Sequence, residues 1–391
     1  MPVINRIAAI HDEMTAWRRD IHAHPELGFE EERTAAVVAE KLESFGIQVH
    51  RGLAKTGVVG TLEGAPGEGA IALRADMDAL PILEGNDGVD YRSTNDGTMH
   101  ACGHDGHTTM LLGAARYLAE TRNFAGTVYF VFQPAEEGLG GGEAMVKEGL
   151  FERFPATAVY GMHNWPGMAP GEIAVRTGPM MAACDEFEIT VDGTGAHGAM
   201  PHLGLDPVVA AAQIVTGLQS IVARNVDPLE AGVVSVTMIH GGDAFNVIPQ
   251  SVALAGTVRT FKAHVRDLIA ANIQRIAEST AASFGVTATV KVEGRFPATV
   301  NTAEETDRAE AAAAAVVGAE RVHRDLAPCM GSEDFAYMLQ ARPGSYIWIG
   351  NGTGPGGCFL HNPGYDFNDE ILPIGASYWA TLVERELGAD R

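Results

Sequence analysis

The order of apolar and polar residues divides the chain into three stretches. In the first, Thr127-Val-Tyr-Phe-Val-Phe132 is an almost unbroken run of β-branched and aromatic residues, as expected of a strand buried on both faces. Residues 57–62, 70–73 and 157–161 read as further strands. Helical spacing fills much of the rest. One helix is expected over 4–23, closed by His24-Pro25, and another over 30–45, with Val37, Val38 and Leu42 on one face and Gly46 as its stop. Two more are expected at 106–120 and 142–148. Strands alternating with helices predict an α/β sheet flanked by helices on both faces.

From about residue 184 the period changes. Glu186-Phe-Glu-Ile-Thr-Val-Asp192 alternates, as a half-exposed strand should. A helix follows over 206–224, with Val208, Ala211, Val215, Leu218 and Val222 spaced by three and four. Strands at 232–239 and 252–258, a helix at 263–284 and a strand at 286–292 complete a βαββαβ order, which is ferredoxin-like. After about 297 the first pattern returns, with helices at 303–317 and 332–339, a strand at 345–350 and a helix at 369–387. The expectation is two domains: a catalytic α/β domain made of 1–184 and 298–391, interrupted by a smaller domain at 185–297.

Charge narrows the partners. With 27 Lys and Arg against 50 Asp and Glu, the net charge is −23. That opposes binding to nucleic acid, whose phosphates need a basic face, and to an anionic membrane surface. No stretch reaches the roughly 18 apolar residues of a membrane span, and the N-terminus carries no secretory pattern. Four cysteines in 391 residues are no disulfide framework. A cytoplasmic protein is expected.

The candidate chemistry collects at strand ends. Asp76 and Asp78, Glu136 and Glu137, and His163 each follow an apolar run, and open α/β sheets bind ligands outside the carboxyl ends of their strands. Cys102 and His104 offer a thiolate and an imidazole two residues apart, enough for one metal ion or two adjacent ones. Cys-x-His alone is weak, since a buried inert thiol beside a loop imidazole is equally ordinary. Glu136-Glu137 stands between Pro134 and Gly138 rather than on a helical face, so one carboxylate can bind metal while the other handles protons. With His163 and His361, each before an Asn, the donors are of mixed S, N and O type. Such a set suits a two-metal site better than one tetrahedral zinc.

His22-Ala-His-Pro-Glu-Leu-Gly28, Ala75-Asp-Met-Asp-Ala-Leu-Pro81, His100-Ala-Cys-Gly-His-Asp-Gly-His107, Pro134-Ala-Glu-Glu-Gly138, Met162-His-Asn-Trp165, Gly195-Ala-His-Gly-Ala-Met-Pro-His202, Gly331-Ser-Glu-Asp-Phe335 and Leu360-His-Asn-Pro363 occur in that order. Through them the whole chain resembles the metal-dependent aminoacylase/carboxypeptidase family. The branch is that of hippurate hydrolases, bacterial N-acyl-amino-acid deacylases and plant auxin-conjugate hydrolases. The resemblance implies that Cys102, His104, Glu137, His163 and His361 bind two divalent metal ions, with Cys102 bridging, and that Glu136 is the general acid/base. It implies that His197, from an inserted lid and dimerisation domain, reaches a partner's site in a homodimer to polarise the scissile carbonyl. Asn246 and Arg259 are similar to residues that hold the substrate's carboxylate or carbonyl oxygen. Asp76-Met77-Asp78 replaces the His-x-Asp of the wider family, and Cys102 stands where others bridge with Asp. Both departures are typical of this branch. They leave the metal open between zinc, favoured by the thiolate, and manganese, cobalt or nickel. Asp78 is expected to orient a ligand.

The expected activity is hydrolysis of small N-acyl amino acids to a carboxylic acid and an amino acid. A dinuclear dipeptidase or carboxypeptidase keeps the same chemistry with another substrate. A Cys102 nucleophile predicts activity that survives a chelator. A non-catalytic binding protein has no use for the carboxylate of Glu136.

Overall fold

The apolar run at 127–132 lies within a strand, Ala125–Gln133, of an eight-stranded sheet in the computed structural model, which describes residues 3–353 and 358–388. Across that sheet the order is Gln48–Leu53, Gly57–Glu63, Ala125–Gln133, Ala65–Asp76, Ala158–Pro166, Gly344–Gly352, Ile173–Ala174 and Val322–His323. Ala65–Asp76 pairs in parallel with both Ala125–Gln133 and Ala158–Pro166, which in turn pairs in parallel with Gly344–Gly352. The C-terminal ends of four central strands therefore lie along one edge. Helices His11–Ala23, Glu32–Ser44, His104–Thr121, Ala303–Val317 and Leu372–Glu386 contribute Met14, Leu42, Met110, Leu111, Val316 and Trp379 to one core with Phe130, Phe132 and Ile347. Burial of each such side chain contributes about 1.5–3 kcal/mol.

The chain forms two compact units. The sheet belongs to the first, Met1–Met180 with Val300–Ala327 and Asp334–Arg391; the second is Met181–Thr299 with Pro328–Glu333. Residues 1–2, 354–357 and 389–391, which the sequence reading assigns to the catalytic domain, lie outside the described residues. The second unit has a four-stranded antiparallel sheet in the order Gly232–His240, Ser251–Thr260, Ala183–Asp192 and Thr287–Phe296. Helices Pro207–Leu218 and Ala263–Ser283 share a core with it through Ile214, Leu218, Ile269 and Ile273 against Phe187, Ile189 and Leu254. In chain order this is 2-3-1-4, the ferredoxin-like arrangement that the βαββαβ pattern implies.

Several elements differ from the pattern. The opening helix is two, Asn5–Ala8 and His11–Ala23. Gln48–Leu53, half polar and with no clear alternation, becomes a strand only by pairing with Gly57–Glu63. Ala158–Pro166 continues past its apolar run because Gly344–Gly352 pairs along it, Trp348 opposite His163, so His163 lies inside the strand rather than after it. The helix expected at 332–339 is Ala336–Ala341. Asp334 stays outside it, its carboxylate accepting from the Gly142 N–H at 2.7 Å, Gln133 Nε2 at 2.7 Å and Arg74 Nη2 at 3.1 Å.

On helix His11–Ala23, His22 is fully buried between two carboxylates, with Nδ1 2.8 Å from Asp105 and Nε2 3.3 Å from Glu84. Burial opposes its charge and so does nearby Arg18, but the bonds to Asp105 and Glu84 outweigh both and lift its pKa to about 9. The folded value exceeds that of the unfolded chain. The linked stability is therefore complete below about pH 6.5 and lost as pH rises through about 9, on the order of 3 kcal/mol in all. Thermal melts of wild type and His22→Gln should show a wide gap at pH 6 that narrows by pH 9.5. A gap independent of pH would mean that His22 is neutral.

Candidate metal centre

The edge formed by the strand C-termini gathers the donors. Cys102, His104 and His163 form one group whose ligand atoms lie within 4.8 Å of one another; Cys102, Glu137 and His361 form a second, and His104, Glu136 and Glu137 a third. Cys102 belongs to the first two. All five expected ligands and Glu136 thus converge, from the loop after Ala65–Asp76 and the start of helix His104–Thr121, from the loop after Ala125–Gln133, from within Ala158–Pro166, and from beyond Gly344–Gly352. Ala135 and His361 both adopt positive φ, 54° and 64°, so two of the connecting segments hold conformations that these residues rarely adopt. The Ala135 N–H donates to the buried Glu31 carboxylate at 2.8 Å, which pins the loop carrying Glu136.

Hydrogen bonds fix which nitrogen each imidazole presents. His104 Nδ1 donates to the Asp78 carbonyl at 2.9 Å and lies 3.2 Å from Asp78 Oδ1, so Nε2 is the nitrogen available to a cation. His163 Nδ1 donates to the Asn164 carbonyl at 2.6 Å, which leaves Nε2 facing Cys102 Sγ at 3.3 Å. Asp78 also accepts the Glu137 N–H at 2.9 Å, tying two of the donors to one carboxylate.

The electrostatics call for added positive charge. Burial pushes the Cys102 thiol well above its ordinary pKa, and the carboxylates of Glu137, Glu136 and Asp76 push the same way. Burial alone would lower His104, but Asp76, Asp78 and Glu137 raise it to about 10. Burial drives His163 well down, with His107 adding to the effect. Among the described residues, His104 Nε2 and Glu137 Oε1 are buried without a well-directed hydrogen bond. His361 Nε2 lies 3.3 Å from Glu137 Oε1, close enough for an ion pair but outside good hydrogen-bond alignment. Orphaned donor atoms, a thiol opposed by carboxylates and an imidazole held protonated by them are the surroundings that a divalent cation fits.

Two residues in the same stretches, His107 and Asn164, escape the sequence reading as site residues. His107 Nδ1 donates to Asp76 Oδ1 at 2.6 Å, and its Nε2 accepts the Asn164 N–H at 2.9 Å. Asn164 Nδ2 donates to the Cys102 carbonyl at 2.6 Å, and Tyr365 donates to Asn164 Oδ1 at 2.8 Å. Asp76, His107 and Asn164 thereby brace the backbone that carries Cys102 and His163. The available signal was adjacency: His107 is one helical turn beyond His104, and Asn164 follows His163. Gly103 completes the cradle, with φ 94° and no room for a side chain. A Cβ there would meet Asn164 Nδ2 at 2.2 Å and Tyr365 Oη at 2.6 Å. Gly103→Ala is expected to reduce bound metal, measured by elemental analysis of the purified protein, well below the wild-type ratio.

In the second unit, two of the remaining candidates meet. His197 pairs with Val247 in a two-stranded ribbon, and the Gly198 N–H donates to the Asn246 carbonyl at 2.7 Å. His197 Nδ1 accepts the Ala199 N–H at 3.1 Å, so in the neutral ring its proton sits on Nε2. Arg259 lies on Ser251–Thr260, half-buried, and donates to Thr257 Oγ1 and, at 3.1 Å, to the Val258 carbonyl.

Fold and donors together define an α/β protein with a strand-end site of sulfur, nitrogen and oxygen ligands. The model of peptidase family M20/M25/M40 matches residues 72–385, and the chain belongs to that family. It is 41% identical over 387 residues to the hippurate hydrolase of Campylobacter jejuni, covering 99% of this chain and 100% of the relative. It is 40% identical over 378 residues to the N-acetylcysteine deacetylase of Bacillus subtilis, covering 96% and 97%. Among solved structures it is similar to a dinuclear metal-binding peptidase of the M20 family from Bacillus subtilis, with TM-score 0.85 and 36% identity, covering 97% of this chain and 99% of that one.

Proposed function

We propose that the protein is a metal-dependent amidohydrolase that splits N-acyl amino acids into a carboxylic acid and a free amino acid. The observation that carries this is the convergence of Cys102, His104, Glu137, His163 and His361 with a sixth, proton-handling group, Glu136. Relatives named hippurate hydrolase and N-acetylcysteine deacetylase, similar over the full length, support the substrate class. The five donors would hold two divalent ions, with Cys102 shared between its two groups. The thiolate favours zinc, while the oxygen donors also suit manganese, cobalt or nickel. When bound, such ions supply Lewis acidity, polarising a carbonyl and easing deprotonation of water.

The protein's own groups do the rest. Glu136 takes the proton of the attacking water and returns it to the departing amine. His197 Nε2–H donates to the carbonyl oxygen as negative charge develops there. Asn246 orients that oxygen or the substrate's carboxylate, and Arg259 binds the carboxylate, which restricts the enzyme to small substrates with a free acid.

We take 1–184 and 298–391 as the catalytic domain and 185–297 as an inserted lid and dimerisation domain, through which His197 serves a partner's site. The free edge strand Gly232–His240, with Met238 and Ile239 exposed, supports pairing of two copies. Free thiols at Cys102, Cys184 and Cys329 are consistent with the cytoplasm, and no helix among the described residues is long and apolar enough to cross a membrane.

The test is release of amino acid from a panel of N-acyl amino acids, after chelation and after return of zinc, manganese, cobalt or nickel. Activity should vanish with the chelator and return with metal. Activity indifferent to chelation would shift the chemistry to a Cys102 nucleophile.

A further inference from the structure

The amidohydrolase reading leaves the acyl group open, and the surface beside the donors bears on it. Among the described residues of the first unit, five large hydrophobic side chains are markedly exposed: Leu83, Leu139, Val300, Leu326 and Phe359. Two of them stand two residues from a donor, Leu139 after Glu137 and Phe359 before His361. Trp165, half-buried, stands two residues after His163. Scattered apolar residues need no explanation, but Leu139 and Phe359 flank donors of one acidic, polar cluster.

Their geometry is specific. The Trp165 ring stacks on the buried Trp348 at 3.9 Å and 10°, which fixes it as a rigid plate. Phe359 stands at 88° to Trp165, with centroids 5.6 Å apart, and the His163 ring lies 6.3 Å from Trp165 on the donor side. Phe359 is 52% exposed, so one wall of this right-angled corner faces solvent. A third ring placed there can stack on one wall and meet the other edge to face, the two arrangements that aromatic quadrupoles favour. An acetyl methyl gains neither contact.

We infer that Trp165 and Phe359 form the acyl subsite, and that it takes a planar aromatic acyl group such as benzoyl or arylacetyl in preference to acetyl. The inference rests on the amidohydrolase reading. A bound ring covers the exposed face of Phe359 and places its carbonyl on the side of His163. The competing occupant is a flexible aliphatic chain, which would use apolar area without needing ring geometry.

The experiment compares kcat/KM for benzoyl, hexanoyl and acetyl conjugates of the same amino acids, in wild type, Phe359→Leu, Phe359→Tyr and Trp165→Leu. Leucine keeps apolar bulk and tyrosine keeps the ring. The benzoyl-to-acetyl ratio should fall about tenfold in Phe359→Leu and Trp165→Leu, and stay near wild type in Phe359→Tyr. A ratio unchanged in both leucine variants, with all conjugates still cleaved, overturns the subsite and leaves the amidohydrolase reading intact. A hexanoyl-to-acetyl ratio that falls as far as the benzoyl ratio also overturns it, in favour of an aliphatic groove. If metal-loaded wild type cleaves none of the conjugates, the amidohydrolase reading fails. Calorimetry with benzoyl-glycine then decides the subsite: binding weakened by Phe359→Leu sustains it, and no binding removes it.

Discussion

Glu136→Gln is expected to lower kcat on N-acyl amino acids by about 10²–10⁴-fold while leaving bound metal at the wild-type ratio. Glutamine keeps the shape of the side chain and its acceptor oxygen but cannot take the water's proton. Glu136 is 7% exposed, and its Oε1 lies 3.4 Å from the Asp334 N–H, a contact that the amide oxygen preserves. Glu137 gives the contrasting result. Its side chain groups with Cys102 and His361, so Glu137→Gln should lose metal first and activity as a consequence. Elemental analysis beside steady-state kinetics separates the two. If Glu136→Gln retained a tenth of wild-type kcat, another group would have to carry the proton.

Arg74→Met should destabilise the protein by about 3–5 kcal/mol, the cost of leaving buried charges without their partner. The Arg74 guanidinium is fully buried and forks among three acceptors: Asp76 at 2.7 Å, Gln133 at 2.9 Å and Asp334 at 3.1 Å. Asp76 is held well below the ordinary carboxylate range. Burial opposes its charge, but His104, His107 and Arg74 together prevail. Methionine fills much of the same volume and pairs with neither carboxylate. Arg74→Lys keeps the charge without the fork and should fall between the two. Urea denaturation followed by circular dichroism measures the order, and equal midpoints for all three would show that the network adds nothing to stability.

The same network shows where sequence reasoning stops. Strand ends were legible because buried parallel strands leave long apolar runs, and ligands gather where such runs finish. That logic singled out Glu136-Glu137 from residues 127–132, and it set Asp76 and Asp78 at the end of 70–73. Resemblance then assigned the five donors, which the fold brings into one place. By contrast, Arg74 and Asp334 are 260 positions apart, and no periodicity joins them. That long-range bond also explains the displaced helix: a residue spacing that reads as helical at 332–339 was overridden once Asp334 turned to Arg74, Gln133 and Gly142. Gln48–Leu53 escaped for the opposite reason, since its neighbour rather than its own side chains makes it a strand.

The donors are drawn from positions 102 to 361, and this bears on how the protein matures. Closing so long a loop costs only slightly more entropy than closing a short one. Timing is the larger effect. During synthesis the segments carrying Cys102, Glu137 and His163 emerge early, whereas His361 follows the last long strand, Gly344–Gly352. On the proposed ligand set, a ribosome-bound chain can offer an ion four donors but not the fifth. Ions taken up at full coordination stabilise only a chain that has extended past His361.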